Sequence, residues 1–249
     1  MLNDTERRTG PGRFSGIGIH KRFGSLTVLE DVDFSMGLTE AVGIVGPNGA
    51  GKTTLLATLA GAFPPSAGSV SFAGKDVTRH SAADRCRAGL VRTHQVPKPF
   101  LGMTTFENVY VAASHAVKTR DEAYERVIGS LELCGMLGVA NRRAETLGLL
   151  DRKRLELARS LATGPQVILL DEIGGGLTDS EAQELVLTIQ ELKRRGLGIV
   201  WIEHIVHVLL QVVDRLICMD AGKIIADGDP QAVMSDPQVV KAYLGGGPK

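Results

Sequence analysis

The sequence predicts an α/β fold built on a mostly parallel, helix-covered sheet. Two runs, residues 166–170 and 198–201, are too densely apolar to alternate, which is typical of parallel strands covered on both faces. Between them, Thr178 with Glu181 predicts a helix that begins with a capping box and ends at Gly196. A strand, a helix and a second strand in this order predict a parallel sheet with helices packed on it.

A glycine-rich segment follows an earlier apolar run and precedes a helical one. Residues 46–53 match the pattern GxxxxGK[ST] in full, between the predicted strand 41–45 and a predicted helix. Its glycines let successive backbone N–H groups face phosphate oxygens at a helix N-terminus. Lys52 supplies a charge to the β and γ phosphates, and the Thr53 hydroxyl ligates Mg²⁺. The sequence therefore predicts a site for ATP and Mg²⁺ formed by Gly46, Pro47, Asn48, Gly49, Ala50, Gly51, Lys52, Thr53 and Thr54.

Two carboxylates follow the apolar run at residues 166–170. Asp171 and Glu172 directly follow this run, so we expect them at the carboxyl end of a strand, beside the phosphate loop. There Asp171 can hold Mg²⁺ through water, and Glu172 can act as the general base that polarises the attacking water. Such a pair is a weak signal alone, because many are solvated turns, and a strong one together with the phosphate loop.

Helical spacing dominates the middle of the chain. We predict a helical subdomain, residues 97–161, inserted between two parts of the sheet, with a helix capped by Thr104 and Glu107. One helix face is expected to comprise Ala123, Val127, Ile128 and Leu131. Near the end, residues 215–219 and 223–225 predict a hairpin, and short helices are expected after Pro230 and Pro237.

Composition limits the class of protein. The 249 residues allow one large domain, and 28 basic against 28 acidic side chains argue against a dedicated nucleic-acid protein. No apolar run reaches the roughly 18 residues of a spanning helix, which predicts a soluble protein. The polar residues 1–16 predict a flexible tail before a domain at 17–249. Cys86, Cys134 and Cys218 have no metal spacing and are expected to be inert buried thiols.

From residue 14 to 244 the chain resembles the ATP-binding cassette (ABC) ATPases. The resemblance implies an antiparallel β portion near the N-terminus and assigns three further site residues. Phe23 would stack on adenine, although an ordinary packed Phe is the alternative. Gln95 would sense Mg²⁺ and the attacking water, and His204 would be the switch histidine that contacts the γ phosphate. Residues 176–179 fall where the family has its inter-subunit loop.

The chain departs from the family at its signature, LSGGQ. Aligned without gaps, the five positions are Leu147, Gly148, Leu149, Leu150 and Asp151. In the family this motif presents a hydroxyl and backbone N–H groups to the γ phosphate bound by the partner subunit. Gly148 lacks the hydroxyl, and loss of one such donor typically costs on the order of 3 kcal/mol of transition-state stabilisation. A second alignment, with Thr146 and Gly148 as serine and glycine, requires an insertion and is less favoured.

A dimer of such subunits binds ATP between one subunit's phosphate loop and the other's signature. Because this chain has an intact loop and a degenerate signature, we expect an asymmetric heterodimer with a second ABC ATPase subunit. A homodimer in which the altered signature still functions is the alternative.

The C-terminal segments resemble the ATPase subunits of branched-chain amino acid importers. The resemblance lies in residues 214–216, 220–223, 226–230 and 236–245. It implies a peripheral subunit at the cytoplasmic face of the plasma (inner) membrane, bound to permease subunits through a groove near residues 95–101 and indirectly to a solute-binding protein. The alternative is a soluble ABC ATPase for iron–sulfur assembly or repair. A regulatory module without turnover conflicts with the presence of Glu172 and His204. The transported solute is not encoded in these residues.

Overall fold

The structure, a computed structural model, describes residues 12–244. The strands in this range are β1 (Arg13–Phe23), β2 (Leu26–Gly37), β3 (Ala41–Val45), β4 (Ala67–Phe72), β5 (Lys75–Asp76), β6 (Leu90–Arg92), β7 (Val167–Asp171), β8 (Gly198–Ile202), β9 (Arg215–Asp220) and β10 (Lys223–Gly228). The α-helices are α1 (Lys52–Leu59), α2 (Ala82–Arg87), α3 (Thr105–Ala116), α4 (Arg120–Leu133), α5 (Leu149–Ala162), α6 (Asp179–Arg194), α7 (Val206–Leu209), α8 (Pro230–Ser235) and α9 (Pro237–Leu244).

The larger sheet has the strand order β10-β9-β3-β8-β7-β6. Its strands from β9 to β6 are mutually parallel, and β10 pairs antiparallel with β9. Strands β3, β7 and β8 are buried along their whole length, as expected where both faces of a sheet are covered. The predicted parallel, helix-covered sheet is confirmed.

The smaller sheet is antiparallel and has the order β2-β1-β4-β5. One apolar core lies between this sheet and the larger one, with buried residues of α1 in the same cluster, and a second core includes residues of α3 to α6. In the first core the ring of Phe14 meets those of Phe34 and Phe72 edge to face, at centroid distances of 5.6 and 5.8 Å. The expected antiparallel portion near the N-terminus is therefore present.

The prediction of a flexible tail over residues 1–16 is wrong for its last four residues. Arg13 to Gly16 begin β1, where all four pair with β2 and the last three also pair with β4, and Phe14 is fully buried. The abundance of arginine and glycine around residue 10 suggested a tail, but burial of one aromatic ring stabilises the start of the strand. Residues 1–11 of the predicted tail lie outside the described residues.

Helices α3 to α5 occupy the part of the chain where helical spacing dominates. Thr104 caps α3 through a capping box with Glu107, as predicted. The predicted apolar face of α4 is wrong at Ile128, which is 49% exposed, whereas Ala123, Val127 and Leu131 are buried. Residues spaced by four share a helix face, and Ile128 lies about 100° around the axis from Val127. That residues 97–161 form a separate subdomain stays a prediction.

The hairpin and the two short helices predicted for the C-terminal part of the chain are present. Strands β9 and β10 form the predicted hairpin. Helices α8 and α9 begin at Pro230 and Pro237, and Asp229 accepts hydrogen bonds from two N–H groups of the first turn of α8. Helix α6 likewise has the predicted capping box of Thr178 and Glu181. Among the helices described, none combines the length and apolarity needed to span a bilayer.

Candidate nucleotide-binding site

The phosphate loop connects the end of β3 to the start of α1. Gly46 adopts φ +143°, and a Cβ there would lie 2.1 Å from the Met219 carbonyl oxygen, so only glycine fits this close approach to β9. Helix α1 begins after Gly51, and no side chain caps it. Its first N–H groups are therefore free of intrahelical partners and can bind an anion.

Lys52 lies folded over this loop. Its Nζ donates hydrogen bonds to the carbonyl oxygens of Gly46 and Pro47, at 2.7 and 3.0 Å. Burial lowers the pKa of Lys52, and the nearby carboxylates of Glu172 and Asp171 oppose that shift. The loop thus holds a cation with few water contacts at the position where the motif requires one.

A cavity of about 270 Å³ opens above the loop and is lined by part of the predicted site. It is lined by Val28, Asn48, Gly49, Ala50, Gly51, Lys52, Thr53, Thr54, Gln95 and Glu172. Gly46 lies at the base of the loop, and Pro47 lines an adjacent cavity together with residues of α9. The structure therefore brings residues from the ends of β3, β6 and β7 to one place.

Asp171 is fully buried at the end of β7 and lies next to the loop. Its Oδ1 is 3.5 Å from the Thr53 hydroxyl, and its Oδ2 accepts a hydrogen bond of 2.6 Å from Arg92. A hydroxyl and a carboxylate, with phosphate oxygens and water, are the hard oxygen ligands that Mg²⁺ prefers. Among the described residues no group of three or more His, Cys, Asp or Glu side chains is placed to hold a metal ion.

Glu172 is contacted by the two other predicted catalytic residues. Gln95 Nε2 donates to Oε2 at 2.6 Å, and His204 Nε2 lies 2.9 Å from Oε1. Glu172 has φ +50°, an uncommon conformation for a residue with a side chain. The carboxylate of Glu172 therefore lies between the ends of β6 and β8, facing the loop cavity.

Phe23 lies at the end of β1, half-exposed. Its ring meets Phe63 edge to face at 5.3 Å, and the Lys21 ammonium lies 5.0 Å from its centroid. Phe23 does not line the loop cavity, where Val28 lies instead. Its predicted role in adenine stacking stays a prediction.

The residues predicted to form the signature lie at the start of α5. Gly148 is the N-cap residue and provides no side-chain hydrogen bond. The choice between the two alignments stays a prediction. The Thr146 hydroxyl instead donates to the Arg143 carbonyl oxygen at 2.8 Å, two residues before the cap. Asp151 lies in the first turn, 3.9 Å from Arg154. The N-cap position of α5 therefore carries no side-chain hydroxyl.

Four residues around this site were not predicted from the sequence. They are Arg92, Lys153, Glu203 and Tyr243. Arg92 and Glu203 are charged residues at the ends of buried strands, which is an available signal, because burial of a charge requires a partner. Lys153 and Tyr243 are ordinary helix residues in sequence and carry no such signal.

None of the three cysteines lines the loop cavity. Cys134 and Cys218 are buried free thiols, and burial raises their pKa to about 12 and about 11, so both are protonated and unreactive at neutral pH. Cys86 is only half-buried, which differs from the expected burial.

A parallel sheet with a phosphate loop after β3 and two carboxylates at the end of β7 defines a P-loop nucleotide-binding protein. Comparison with known proteins shows which family of P-loop proteins the chain belongs to. The family model described as ABC transporter matches residues 29–174, and the model described as branched-chain amino acid ATP-binding cassette transporter matches residues 223–248. The chain belongs to the ABC transporter family.

Known proteins are similar to this chain along nearly its whole length. The high-affinity branched-chain amino acid transport ATP-binding protein LivG of Salmonella typhimurium is 34% identical, over 92% of this chain and 96% of that protein. BraF of Pseudomonas aeruginosa, of the same description, is 32% identical with the same coverage. A nucleotide-free crystal structure of an ATP-binding cassette from an ABC transporter superposes with a TM-score of 0.84 at 30% identity, over 92% of this chain and 98% of that chain.

Proposed function

We propose that the chain is the ATP-hydrolysing subunit of an importer for branched-chain amino acids or a related small polar or organic-acid solute. The observation that carries this proposal is the match of residues 223–248 to the branched-chain amino acid family model, in a chain with a complete phosphate loop. Relatives named as branched-chain amino acid transport proteins support it over nearly the full length. None of these relatives supports the soluble assembly or repair alternative.

The arrangement at the sheet edge suits hydrolysis of a bound nucleotide. Glu172 faces the loop cavity and is held by Gln95 and His204, so it can accept a proton from water placed in line with the γ phosphate. His204 can donate from its imidazole to a phosphate oxygen. Thr53 and Asp171 would hold Mg²⁺, with Gln95 at its edge, and the ion would neutralise charge on the β and γ phosphates.

The uncapped start of α5 supports a heterodimer. At Gly148 the chain offers no hydroxyl to a nucleotide on the opposite subunit. A partner with a complete signature would finish the site on this chain, and the site that uses Gly148 would be slow.

An exposed apolar patch lies next to Gln95 and supports docking of a permease subunit. The patch comprises Val96, Phe100, Leu101 and Met103, all exposed. The Arg159 guanidinium lies 5.1 Å from the Phe100 ring and also donates to the Lys98 carbonyl oxygen, so the segment is anchored to α5. A permease loop bound there would be in direct contact with the residues beside the proposed base, and the chain would lie at the cytoplasmic face of the inner membrane.

Reconstitution tests this function. The chain is co-expressed with candidate permease, binding-protein and second ATPase subunits, and ATP-dependent uptake of labelled leucine is measured in proteoliposomes. We expect uptake with the full set, none with Lys52→Ala, and ATPase activity in the heterodimer well above that of this chain alone. Full activity of the purified chain by itself would contradict the heterodimer, and uptake that is unaffected by Lys52→Ala would contradict the transport role.

A further inference from the structure

A buried carboxylate directly before the switch histidine has no role in the site described above. Glu203 is only 2% exposed, and it follows β8 at the same sheet edge as Glu172. A buried carboxylate is costly unless its oxygens are hydrogen-bonded. The partners of Glu203 therefore indicate what it does.

Both oxygens of Glu203 accept backbone hydrogen bonds. Oε1 accepts from the N–H of Gly174 at 2.5 Å, and Oε2 accepts from the N–H of His204 at 3.1 Å. A Cβ at position 174 would lie 2.6 Å from Oε1, so the glycine allows this close approach. One carboxylate thus binds the turn two residues after Glu172 and the backbone of the histidine that contacts Glu172.

These bonds close a ring of contacts around the proposed base. The N–H of Glu172 donates to the Ile202 carbonyl oxygen at 2.9 Å, and its side chain meets His204 at 2.9 Å. The bond from Gly174 to Glu203 joins the same two chain segments on the far side of Glu172. The chain segments that follow β7 and β8 are therefore connected at three points: by the backbone of Glu172, by its side chain, and by the turn after it.

A buried lysine links this ring to the helix that begins with the signature. Lys153 of α5 is 5% exposed, and its Nζ donates to the carbonyl oxygen of Glu172 at 3.4 Å. Burial lowers the pKa of Lys153, and attraction to Glu203 and Glu172 opposes the shift. Burial also raises the pKa of Glu203, opposed by its two N–H bonds and by Lys153. The two side chains thus stabilise each other's charge across the turn that carries the base.

We infer that Glu203 is a positioning residue for ATP hydrolysis, which holds His204 and the turn after Glu172 in contact, and that Lys153 couples this unit to α5. This inference rests on the proposed hydrolytic function. It predicts an effect on turnover without an effect on nucleotide binding, because Glu203 does not line the loop cavity. Substitution of a residue needed only for folding would reduce turnover and nucleotide binding together.

Glu203→Gln is the deciding variant. It keeps the size of the side chain but has one acceptor oxygen and an NH₂ group, so one of the two backbone N–H groups loses its acceptor. In the assembled importer we expect kcat to fall by about tenfold or more, with KM and the ATP dissociation constant of the chain within about twofold of the unmodified protein. Glu125→Gln, at an exposed position on α4, is the control and should change neither.

A spectroscopic readout separates this inference from the proposed function. In the isolated chain, the imidazole NMR signals of His204, assigned by their loss in His204→Ala, should shift in Glu203→Gln and stay in place in Glu125→Gln. If the His204 signals and kcat both stay unchanged in Glu203→Gln, the inference is wrong even when the chain is a working importer subunit. If the importer hydrolyses no ATP at all, the proposed function fails while the NMR test of Glu203 still stands.

Lys153→Gln gives an independent test should Glu203→Gln fold poorly. We expect a loss of kcat in the same direction with unchanged ATP binding, and a double variant about as impaired as the more impaired single one, because the two residues act as a unit. Losses that multiply in the double variant, or an unchanged kcat in Lys153→Gln, would contradict the coupling.

Discussion

The phenolic oxygen of Tyr243 accepts a hydrogen bond of 2.9 Å from the backbone N–H of Gly46, the first residue of the phosphate loop. Partial burial raises the pKa of Tyr243, so the group is a neutral phenol at physiological pH. Helix α9, which belongs to the segment matched by the branched-chain amino acid family model, thus binds the loop directly.

Tyr243→Phe should weaken ATP binding. Loss of the acceptor costs about 0.5–1.5 kcal/mol and leaves Gly46 less firmly held, so we expect about a 2- to 10-fold higher dissociation constant in a fluorescent-nucleotide titration. Tyr124→Phe is the matched control, since its hydroxyl also accepts a hydrogen bond, from Arg120 on the exposed side of α4. Equal affinities for the two variants would contradict a role of Tyr243 in the loop.

Substitutions of Lys52 and Glu172 should affect ATP binding and ATP hydrolysis differently. Lys52→Ala removes the cation over the phosphate loop, so no ATP binding is expected in the same titration. Glu172→Gln keeps the shape of the side chain but cannot accept a proton, so we expect binding to persist and hydrolysis in the assembled complex to stop. Turnover by Glu172→Gln at the rate of the unmodified protein would exclude Glu172 as the base.

The ion pair between Arg92 and Asp171 should matter for stability. Arg92→Met leaves the fully buried Asp171 carboxylate without its cation, and we expect the free energy of unfolding to fall by about 3 kcal/mol in urea titrations. Arg87→Met is the control, because Arg87 pairs with Asp84 at an exposed position, where such pairs contribute little. If both variants unfold at the same urea concentration, the buried pair contributes no more than a surface one.

The capping box of α6 should make the stability of the protein depend on pH. Hydrogen bonds from the Thr178 N–H and hydroxyl lower the pKa of Glu181 below its ordinary value of 4.5. Because the folded-state pKa is the lower one, this stabilisation is present above pH 4.5 and is lost as the pH falls through the folded-state value. In urea titrations Glu181→Gln should be less stable than the unmodified protein at neutral pH, and the difference should shrink as the pH is lowered below 4.5. A difference that stays constant as the pH falls would rule out the carboxylate as its source.

The parts of the site that lie in short continuous segments of the chain could be predicted from the sequence. The phosphate loop is one continuous segment between a strand and a helix, and Asp171 and Glu172 lie at the carboxyl end of a buried strand. Because strands β3, β7 and β8 are parallel and adjacent, their carboxyl ends meet at one edge. The hairpin of β9 and β10 is likewise encoded by two apolar runs around one short turn.

Contacts between distant segments were not predictable in this way. The bond from Gly46 to Tyr243 joins residues 197 positions apart, and that from Gly174 to Glu203 joins residues 29 apart. No periodicity specifies such pairs, since they depend on strand order and on the path of connecting chain. Ile128 and Phe14 were misjudged for a related reason: whether an apolar side chain is buried depends on the surface that faces it.

The two ends of the described chain lie at opposite ends of β3. Gly12 accepts a hydrogen bond from Leu38, just before β3 begins, whereas α9 contacts Gly46, just after β3 ends. Five residues of strand separate these points by roughly 16 Å. A fluorophore attached to a residue of α9 would therefore lie near the phosphate loop and could change the nucleotide affinity that it is meant to report. A fluorophore attached at the start of β1 would report on the protein from about a strand length away.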